Sequence, residues 1–296
     1  MRYSTSCRPK AILLYALLAP AILLTLFVGI IPLGNAFISS FHTRSGAEFH
    51  FIGMDHYVRM VNDSQFWRSL QNNLIIVVLC VVGHLVTALL LSCLMSWRGL
   101  RLKRLHRFSI FLPVVLSPLV VGFMWRFVYN PRNGVLNAIL EGLGLENWIR
   151  LWLDDPSIVI YSATIPIIWQ FVGMYLVIFL AAMQGISSDI LEVAELDGAT
   201  GFRKAYHIVF PLIYPTMVTA LVLSISGNMR VFDQIFSLTG GGPGTASSVL
   251  ALYSYTQTFR HMNIGYGSTI AIGMLFFSIL LIGLSKLIMG RKKDVL

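Results

Sequence analysis

Charged residues are scarce in this sequence of 296 residues. Asp, Glu, Lys and Arg together make up 12% of it, whereas they make up about 25% of a typical soluble domain. Hydrophobic residues reach 56%, and the mean hydropathy is +0.74. Because a soluble domain of this length could not bury so many apolar side chains, the composition excludes that class and predicts an integral membrane protein.

Cysteine is also scarce, and the motifs of catalysis are missing. Cys7, Cys80 and Cys93 form neither a disulfide framework nor a metal-ligand spacing, so we expect them to be reduced packing residues. The sequence contains no GxxxxGK(S/T) phosphate loop, and its loops carry no His and Cys cluster and no paired carboxylates at catalytic spacing. We therefore expect no enzymatic activity, no metal site and no bound cofactor.

The formal net charge of +9 is compatible with nucleic-acid binding. The basic residues, however, form short patches beside apolar runs, which is the arrangement that sets the orientation of a membrane protein. We therefore expect membrane lipid, and not nucleic acid, to be the partner of these patches.

Six apolar runs are long enough to cross a bilayer as helices, which takes about 20 residues each. The predicted helices cover residues 11–31, 74–97, 105–129, 158–183, 212–238 and 264–289. Pro20 is expected to bend the first helix, and Pro113 and Pro118 to kink the third. Residues 42–73 are more polar and predict an external segment with a short interfacial helix. The sequence thus predicts a single all-α transmembrane domain over residues 1–296.

The distribution of basic residues predicts the orientation of these six helices. Fourteen of the 22 lysines and arginines fall on the side that holds both termini and the loop between the fourth and fifth helices, and six fall on the opposite side. Arg126 and Arg230 lie within predicted helices. Because the side richer in Lys and Arg is cytoplasmic, both termini are predicted to be cytoplasmic.

The longest polar interval, residues 189–215, lies between two apolar runs and predicts a loop at the membrane surface that contains a short helix. Helical spacing places Asp189, Glu192 and Glu195 on roughly one face of that helix. Gly198 is expected to end it, since glycine tolerates the left-handed conformation of a C-cap. A second short helical piece is expected to stop at Pro211.

The order of residues in this loop resembles the EAA loop of binding-protein-dependent ABC importer permeases. Glu192, Val193 and Ala194 are followed by Gly198 six residues after the glutamate, by Ile208 ten residues after the glycine, and then by a proline. The spacing is that of the family. The sequence departs from the family pattern at Val193, where the family has Ala, and at Phe210, where it has Leu, and both replacements are apolar.

Two further stretches resemble the carbohydrate branch of these permeases, which includes the maltose, glycerol-3-phosphate and multiple-sugar types. Residues 231–259 contain the Phe-Asp pair, the Thr-Gly-Gly-Gly-Pro turn and the Leu-x-x-Tyr-x-Tyr series of that branch, and residues 53–57 are similar to its Gly-x-x-Asn-Tyr. The resemblance implies the type I ABC importer permease fold. It also implies that the chain forms half of the translocation pathway for a sugar or oligosaccharide in the inner (plasma) membrane.

The resemblance further implies that residues 189–211 form the cytoplasmic coupling loop, whose helix docks into an ATP-binding subunit. The residues that match the family's motif are Glu192, Val193, Ala194, Asp197, Gly198, Ile208 and Pro211. The implied partners are a second, related permease chain, typically in a heterodimer, two copies of the ATP-binding subunit, which binds the ATP, and an external substrate-binding protein.

Polar and aromatic residues in the fourth and fifth helices are the candidates for the solute pathway. Gln170, Asn228 and Asp233 are expected to offer hydrogen bonds to sugar hydroxyls, and Trp169 or Phe232 to stack on a sugar face. Arg230 lies three residues before Asp233, so the two either form an intrahelical ion pair that stabilises the bundle or serve the pathway.

Other functions stay open at this point. Arg126 and Arg230 are compatible with a glycerol-phosphate-type solute. An ion-coupled secondary carrier would need a relay of titratable groups at membrane depth, and the sequence offers little beyond Asp233 and His84. We expect His84 to face the helix bundle as a hydrogen-bonded packing residue.

Overall fold

The computed structural model describes residues 11–45, 48–96 and 99–290, most of which are helical. The basic residues of both chain ends and Arg98, which the topology prediction counts, lie outside these ranges, as does Cys7.

The first helical run extends farther than the sequence predicts. It comprises α1 (Ala11–Thr25), a π-helical turn (Leu26–Ile30) and α2 (Ile31–Ser39). The predicted end at residue 31 is therefore wrong. Pro32 lies inside this continuous run, just after the π-helical turn, and the helical conformation continues past it to Ser39.

A small unit with a hairpin and a short helix follows the first helical run. Strands β1 (His42–Ser45) and β2 (Glu48–Phe51) form an antiparallel hairpin in which His42 lies opposite Phe51. The short helix α3 (Asp55–Asn62) comes next, within the segment where the sequence predicts one. The hairpin itself is not predicted by the sequence.

Helix α4 (Ser64–Ser96) begins well before residue 74, so the predicted start of the second helix is wrong. Its first turns contain the buried polar residues Ser69, Asn72 and Asn73. Ser and Asn are residue types that are common in loops. All three side chains make hydrogen bonds to distant parts of the chain. These bonds permit polar residues to be buried in a helix.

The predicted third helix, residues 105–129, is two helices. Helices α5 (Lys103–Val115) and α6 (Pro118–Val128) meet at an angle of 103°. Pro118 has no amide to donate and forces the preceding residue into an extended conformation, which Ser117 adopts with ψ of 133°. The helix α7 (Val135–Gly142) and the 3-10 turn Glu146–Trp148 lead to α8 (Val159–Gln184).

The predicted fifth helix, residues 212–238, is also interrupted. The segment after α8 contains α9 (Ser188–Leu196), α10 (Gly201–Lys204), a π-helical turn (Ala205–Val209) and α11 (Phe210–Leu212). This run bends by 73° into α12 (Tyr214–Met229). The chain leaves the helical conformation at residues 230–232 and resumes it in α13 (Asp233–Leu238), so the predicted continuous helix to residue 238 is wrong.

The glycine-rich turn, residues 240–244, is followed by α14 (Leu250–Tyr255), a π-helical turn (Thr256–Arg260) and α15 (Ile264–Gly290). Residues just after the turn are buried, among them Ser247 and Val249. The region between the fifth and sixth predicted helices is thus a packed part of the fold.

The core lies between α4 and α8, which pack along each other, with α12 against both helices and α5 against α8. Ile76, Ile167 and Leu176 are fully buried there. The outer helices are different: no residue is buried in the most apolar window of residues 17–39, and only 6% of such a window is buried in residues 264–289. Such apolar surfaces require lipid or another chain to cover them.

Four of the described helices are long and apolar enough to cross a membrane, and the number rises to six if each bent pair forms one span. The bent pairs are α5 with α6, and the run from Gly201 to Leu212 with α12.

Candidate coupling segment and solute pathway

Helix α9 has well-defined ends. At its start, the Ser187 side chain accepts a hydrogen bond from the Asp189 amide (3.3 Å). At its end, the amides of Gly198 and Ala199 donate to the carbonyls of Glu195 (3.1 Å) and Ala194 (2.9 Å), which is the Schellman pattern. Gly198 has φ of +78°, a conformation that favours glycine. Glycine therefore ends this helix where its sequence position predicts.

An ion pair joins α9 to the helix that follows it. Lys204 Nζ lies 2.8 Å from Glu195 Oε1 across the turn centred on Gly198. The lysine side chain is mostly buried and the glutamate half-exposed, so water weakens the attraction. Its main effect is to fix the angle between the two helices. The sequence analysis did not identify this contact.

Apolar side chains project from this segment without a covering element. Leu196 is 86% exposed, and Phe202, Tyr206 and Val193 are also more than half exposed. The rings of Phe202 and Tyr206 stack with centroids 6.1 Å apart. We call these four residues the coupling patch. Of the predicted coupling residues only Val193 belongs to it, while Ala194 is buried beneath and Glu192 and Asp197 are exposed.

The base of the segment is anchored to the transmembrane helices. Ile208 lies in the π-helical turn and Pro211 at the 73° bend. Just after the bend, Ile213 is buried and Tyr214 donates its hydroxyl hydrogen bond to the carbonyl of Met289 (2.8 Å), at the end of α15. A force applied to α9 would therefore reach α12 and α15 through a short, structured connection.

The predicted pathway residue Gln170 is fully buried in α8. Its side-chain amide donates to the carbonyl of Leu116 (2.7 Å), at the break between α5 and α6, and accepts from Gln234 (2.7 Å) in α13. In this structure it offers no group to a solute. Its position makes it a bridge between the two interrupted helices, and this differs from the predicted contact with sugar.

Asn228 is also buried, with its side chain donating to the carbonyl of Ser224 within α12 (2.7 Å). Ser224 contacts His84 Nδ1 (3.2 Å), and His84 Nε2 lies 3.3 Å from the carbonyl of Ile167. His84 also stacks on Tyr175, with ring centroids 4.7 Å apart. His84 is thus a packed, hydrogen-bonded histidine, as predicted.

The intrahelical ion pair between Arg230 and Asp233, one of the two alternatives for these residues, is absent from the described part of the chain. Arg230 lies at the interruption after α12, whereas Asp233 begins α13, so helical spacing does not apply between them. Both residues are exposed. Asp233 lies in the first turn of α13, where a negative charge is favourable.

Aromatic rings surround the same interruption. Phe232 stacks on Phe236 (5.3 Å between centroids) and contacts Tyr255 (5.3 Å). Trp169 is more than a third exposed and packs edge-on against Trp125 (5.8 Å). Of the six predicted pathway residues, Trp169, Arg230 and Asp233 are exposed, Phe232 is half-buried, and the two amides are enclosed.

Comparison with known proteins decides among the functions that the sequence leaves open. A family described as binding-protein-dependent transport system inner membrane component matches residues 88–293, which include the coupling segment and the interrupted helices. This chain belongs to that family. The importer-permease interpretation is therefore confirmed over an ion-coupled carrier and over a membrane enzyme.

Relatives of this permease chain match over most of their length. It is 35% identical to a probable ABC transporter permease protein, YurN, of Bacillus subtilis, over 90% of this chain and 92% of the relative. It is 31% identical to the lactose transport system permease protein LacF of Rhizobium radiobacter, over 86% of each chain.

A solved structure has the same fold. This permease chain is similar to a chain of a bacterial ABC transporter involved in the import of the acidic polysaccharide alginate, with a TM-score of 0.83 and 24% identity. The match covers 95% of this chain and 96% of the other. The predicted ABC permease fold is confirmed by this likeness.

Proposed function

We propose that this permease chain forms half of the translocation pathway of an ATP-driven importer for a sugar or oligosaccharide. The observation that carries the proposal is the coupling patch: four exposed apolar side chains on a short capped helix and its neighbour, anchored to α12 and α15. Apolar side chains on a rigid helix suit insertion into a groove of another protein. The protein that provides the groove is an ATP-binding subunit, which binds and hydrolyses the ATP.

The proposed assembly contains two ATP-binding subunits, a second permease chain and an external binding protein. The apolar outer surface of residues 17–39, with no buried residue in its most apolar window, supports contact with lipid and with a second permease chain. The family description supports a binding protein as the donor of solute.

We place six spans in the membrane, each bent pair counting as one, with both termini on the cytoplasmic side. The excess of Lys and Arg on that side supports this orientation. It puts the coupling segment in the cytoplasm, and it puts the hairpin, α3, α7 and the glycine-rich turn on the outer side.

A neutral sugar is the favoured solute. The name of the lactose-system relative supports the sugar class. The alternative is a solute of the glycerol-phosphate type, for which Arg126 is the relevant residue, since it lines a cavity of about 510 Å³ near the end of α6. Asp154 lines the same cavity, and its negative charge opposes the binding of an anion.

The coupling role is tested by co-purification with the ATP-binding subunit. Leu196→Glu places a charge in the coupling patch at a position so exposed that folding does not depend on it. Leu143→Glu is the matched control, at an exposed position of the proposed outer side. We expect wild type and L143E to retain the ATP-binding subunit and L196E to lose it.

Retention of the ATP-binding subunit by L196E would contradict the docking role of the patch. The transport role is measured separately, as uptake of labelled lactose and other saccharides into cells. Uptake that stops when ATP is depleted and survives collapse of the ion gradients supports the proposal. Uptake that follows the ion gradient would contradict it.

A further inference from the structure

A polar cavity lies beside the glycine-rich turn, separated from the coupling segment by the length of α12. Its volume is about 310 Å³, at the lower end of the range of small-molecule sites. The main chain of the glycine-rich turn forms one wall. The side chains that line the rest of the cavity are mostly polar and include Gln65, Thr245, Tyr253, Gln257, Arg260 and His261.

Gln257 is the feature that points to a ligand. The residue is only 7% exposed, yet its side-chain amide has no hydrogen-bond partner among the residues that the structure describes. Every fully enclosed side-chain polar atom in the described chain does have a partner. The amide atoms of Gln257 therefore open onto the cavity that the residue lines, where a bound group would satisfy them.

Other polar side chains that line the cavity also lack partners among the described residues. The side chains of Gln65 and Thr245 make no hydrogen bond to the described residues, and Arg260 makes no ion pair with them. Two amides together supply both donors and acceptors, and Arg260 adds donors at the rim. This mixture suits hydroxyl groups, which both donate and accept. An anion would leave the amide oxygens unmatched.

The aromatic wall of the cavity is held in place. The Tyr253 hydroxyl donates to Asp63 Oδ2 (2.5 Å), which also accepts from Tyr266. Burial raises the pKa of the Asp63 carboxyl, but the two tyrosine hydroxyls and backbone amides outweigh that effect, so its pKa lies below the usual value. The carboxylate therefore stays charged and fixes the Tyr253 side chain, which is 8% exposed where it lines the cavity.

Glycine is required in the opposite wall for two reasons. Gly240, Gly241 and Gly244 have φ of +61°, +91° and +59°, a conformation that L side chains rarely adopt. In addition, a Cβ atom at Gly241 would lie 3.0 Å from Leu252 Cδ2. Substitution would therefore strain or shift the wall of the cavity.

We propose that this cavity is a subsite for one sugar ring on the outer side of the membrane, with Gln257 and Gln65 binding its hydroxyls. The subsite rests on the proposed function and on its topology. Residues 65 and 240–261 of this chain supply the lining.

Protection of an introduced thiol tests the subsite. Thr245→Cys is placed in the full-length chain in right-side-out membrane vesicles and labelled with a membrane-impermeant methanethiosulfonate. Methyl β-galactoside and lactose are the probes, and wild type, in which Cys80 is buried, gives the background. We expect the probe that binds to slow labelling in proportion to occupancy, by about tenfold at a concentration ten times its Kd.

Matched variants make the result specific. Asn147→Cys, at an exposed position of the 3-10 turn and outside the lining of the cavity, should label at the same rate with and without sugar. In the Thr245→Cys background, Gln257→Leu should abolish the protection, whereas Gln71→Leu, at an exposed position of α4, should retain it.

Three results would overturn the subsite: no protection by either sugar, equal slowing at Asn147→Cys, or equal protection with Gln257→Leu and Gln71→Leu. Protection by glutarate, without protection by the sugars, would show that the cavity binds an acidic ligand. That result would also overturn the proposed sugar subsite. ATP-driven uptake by wild type is measured in parallel. Its absence would count against the proposed function, whereas uptake without protection would count against the subsite alone.

Discussion

Substitution of Asn73 tests which contacts stabilise the interruption between α12 and α13. The residue is fully buried in α4. Its Nδ2 donates to the carbonyls of Asn228 (3.3 Å) and Met229 (3.1 Å), where α12 ends, and its Oδ1 accepts from the amide of Leu250 (2.8 Å), where α14 begins. One side chain thus serves the main chain at two helix termini, where backbone groups lack helical partners.

The substitution Asn73→Leu keeps a similar volume and removes all three hydrogen bonds. A buried polar group without a partner costs about 1–3 kcal/mol, so the expected loss is about 3 kcal/mol or more. At about 2–4 °C per kcal/mol for a chain of this size class, Tm should fall by roughly 6 °C or more. The measurement is the fraction of purified protein that stays monodisperse in detergent after heating.

The control for Asn73→Leu is the same change at Asn147, which is exposed and should leave Tm within about 2 °C of wild type. An Asn73→Leu protein as stable as the Asn147→Leu protein would refute the reasoning. In that case the interruption after α12 would be stable without the bonds from α4, and water or local rearrangement would satisfy the Met229 carbonyl and the Leu250 amide. The Asn228 carbonyl keeps the amide of Val231 as a partner in either case.

Three smaller effects are expected elsewhere. The depressed pKa of Asp63 means that its stabilising effect is complete above the ordinary value of 3.8 and is lost as pH falls through the lower folded value. The difference in Tm between wild type and Asp63→Asn should therefore be largest above pH 3.8 and shrink as the pH falls below it, and a difference that stays constant would refute this. Gly198→Ala forces a side chain into a positive φ at a cost of about 1–2 kcal/mol, so hydrogen exchange in α9 should accelerate about tenfold. Lys204→Met removes a partly exposed ion pair worth less than about 1 kcal/mol, so the same exchange should accelerate less than about fivefold, and a larger effect than that of Gly198→Ala would contradict the ranking.

Features that depend on local chemistry were predictable from the sequence. Gly198 ends α9 and the coupling spacing falls on a capped helix, because both follow from backbone preferences of a few neighbouring residues. The kink at Pro118 was also predicted, although its extent was not. A proline specifies that a helix is disturbed, whereas the 103° angle depends on what the two pieces pack against.

Features that depend on distant contacts were not predictable in the same way. Residues 230–232 contain neither Pro nor Gly, and the interruption there depends on Asn73, more than 150 residues earlier in the chain. The early start of α4 has a similar cause. Asn72 and Asn73 are residues typical of a loop, and they are buried in a helix because they form hydrogen bonds with residues 246–250, which the sequence does not reveal. Leu196 and Phe202 were missed because apolar residues in a polar loop do not reveal which side they face.

The buried amides change where solute contacts are to be sought. Gln170 and Asn228 were predicted to meet the sugar because polar groups at membrane depth often serve function. Here both side chains donate to main-chain carbonyls: Gln170 to Leu116, at the break before Pro118, and Asn228 to Ser224, within α12. Interrupted helices need such partners in a membrane, where water cannot supply them. Among the residues that the sequence analysis proposed for the pathway, Trp169, Arg230 and Asp233 are the exposed ones. We therefore expect the substitution of Gln170, which closes a helix break, to affect stability before it affects affinity for the solute.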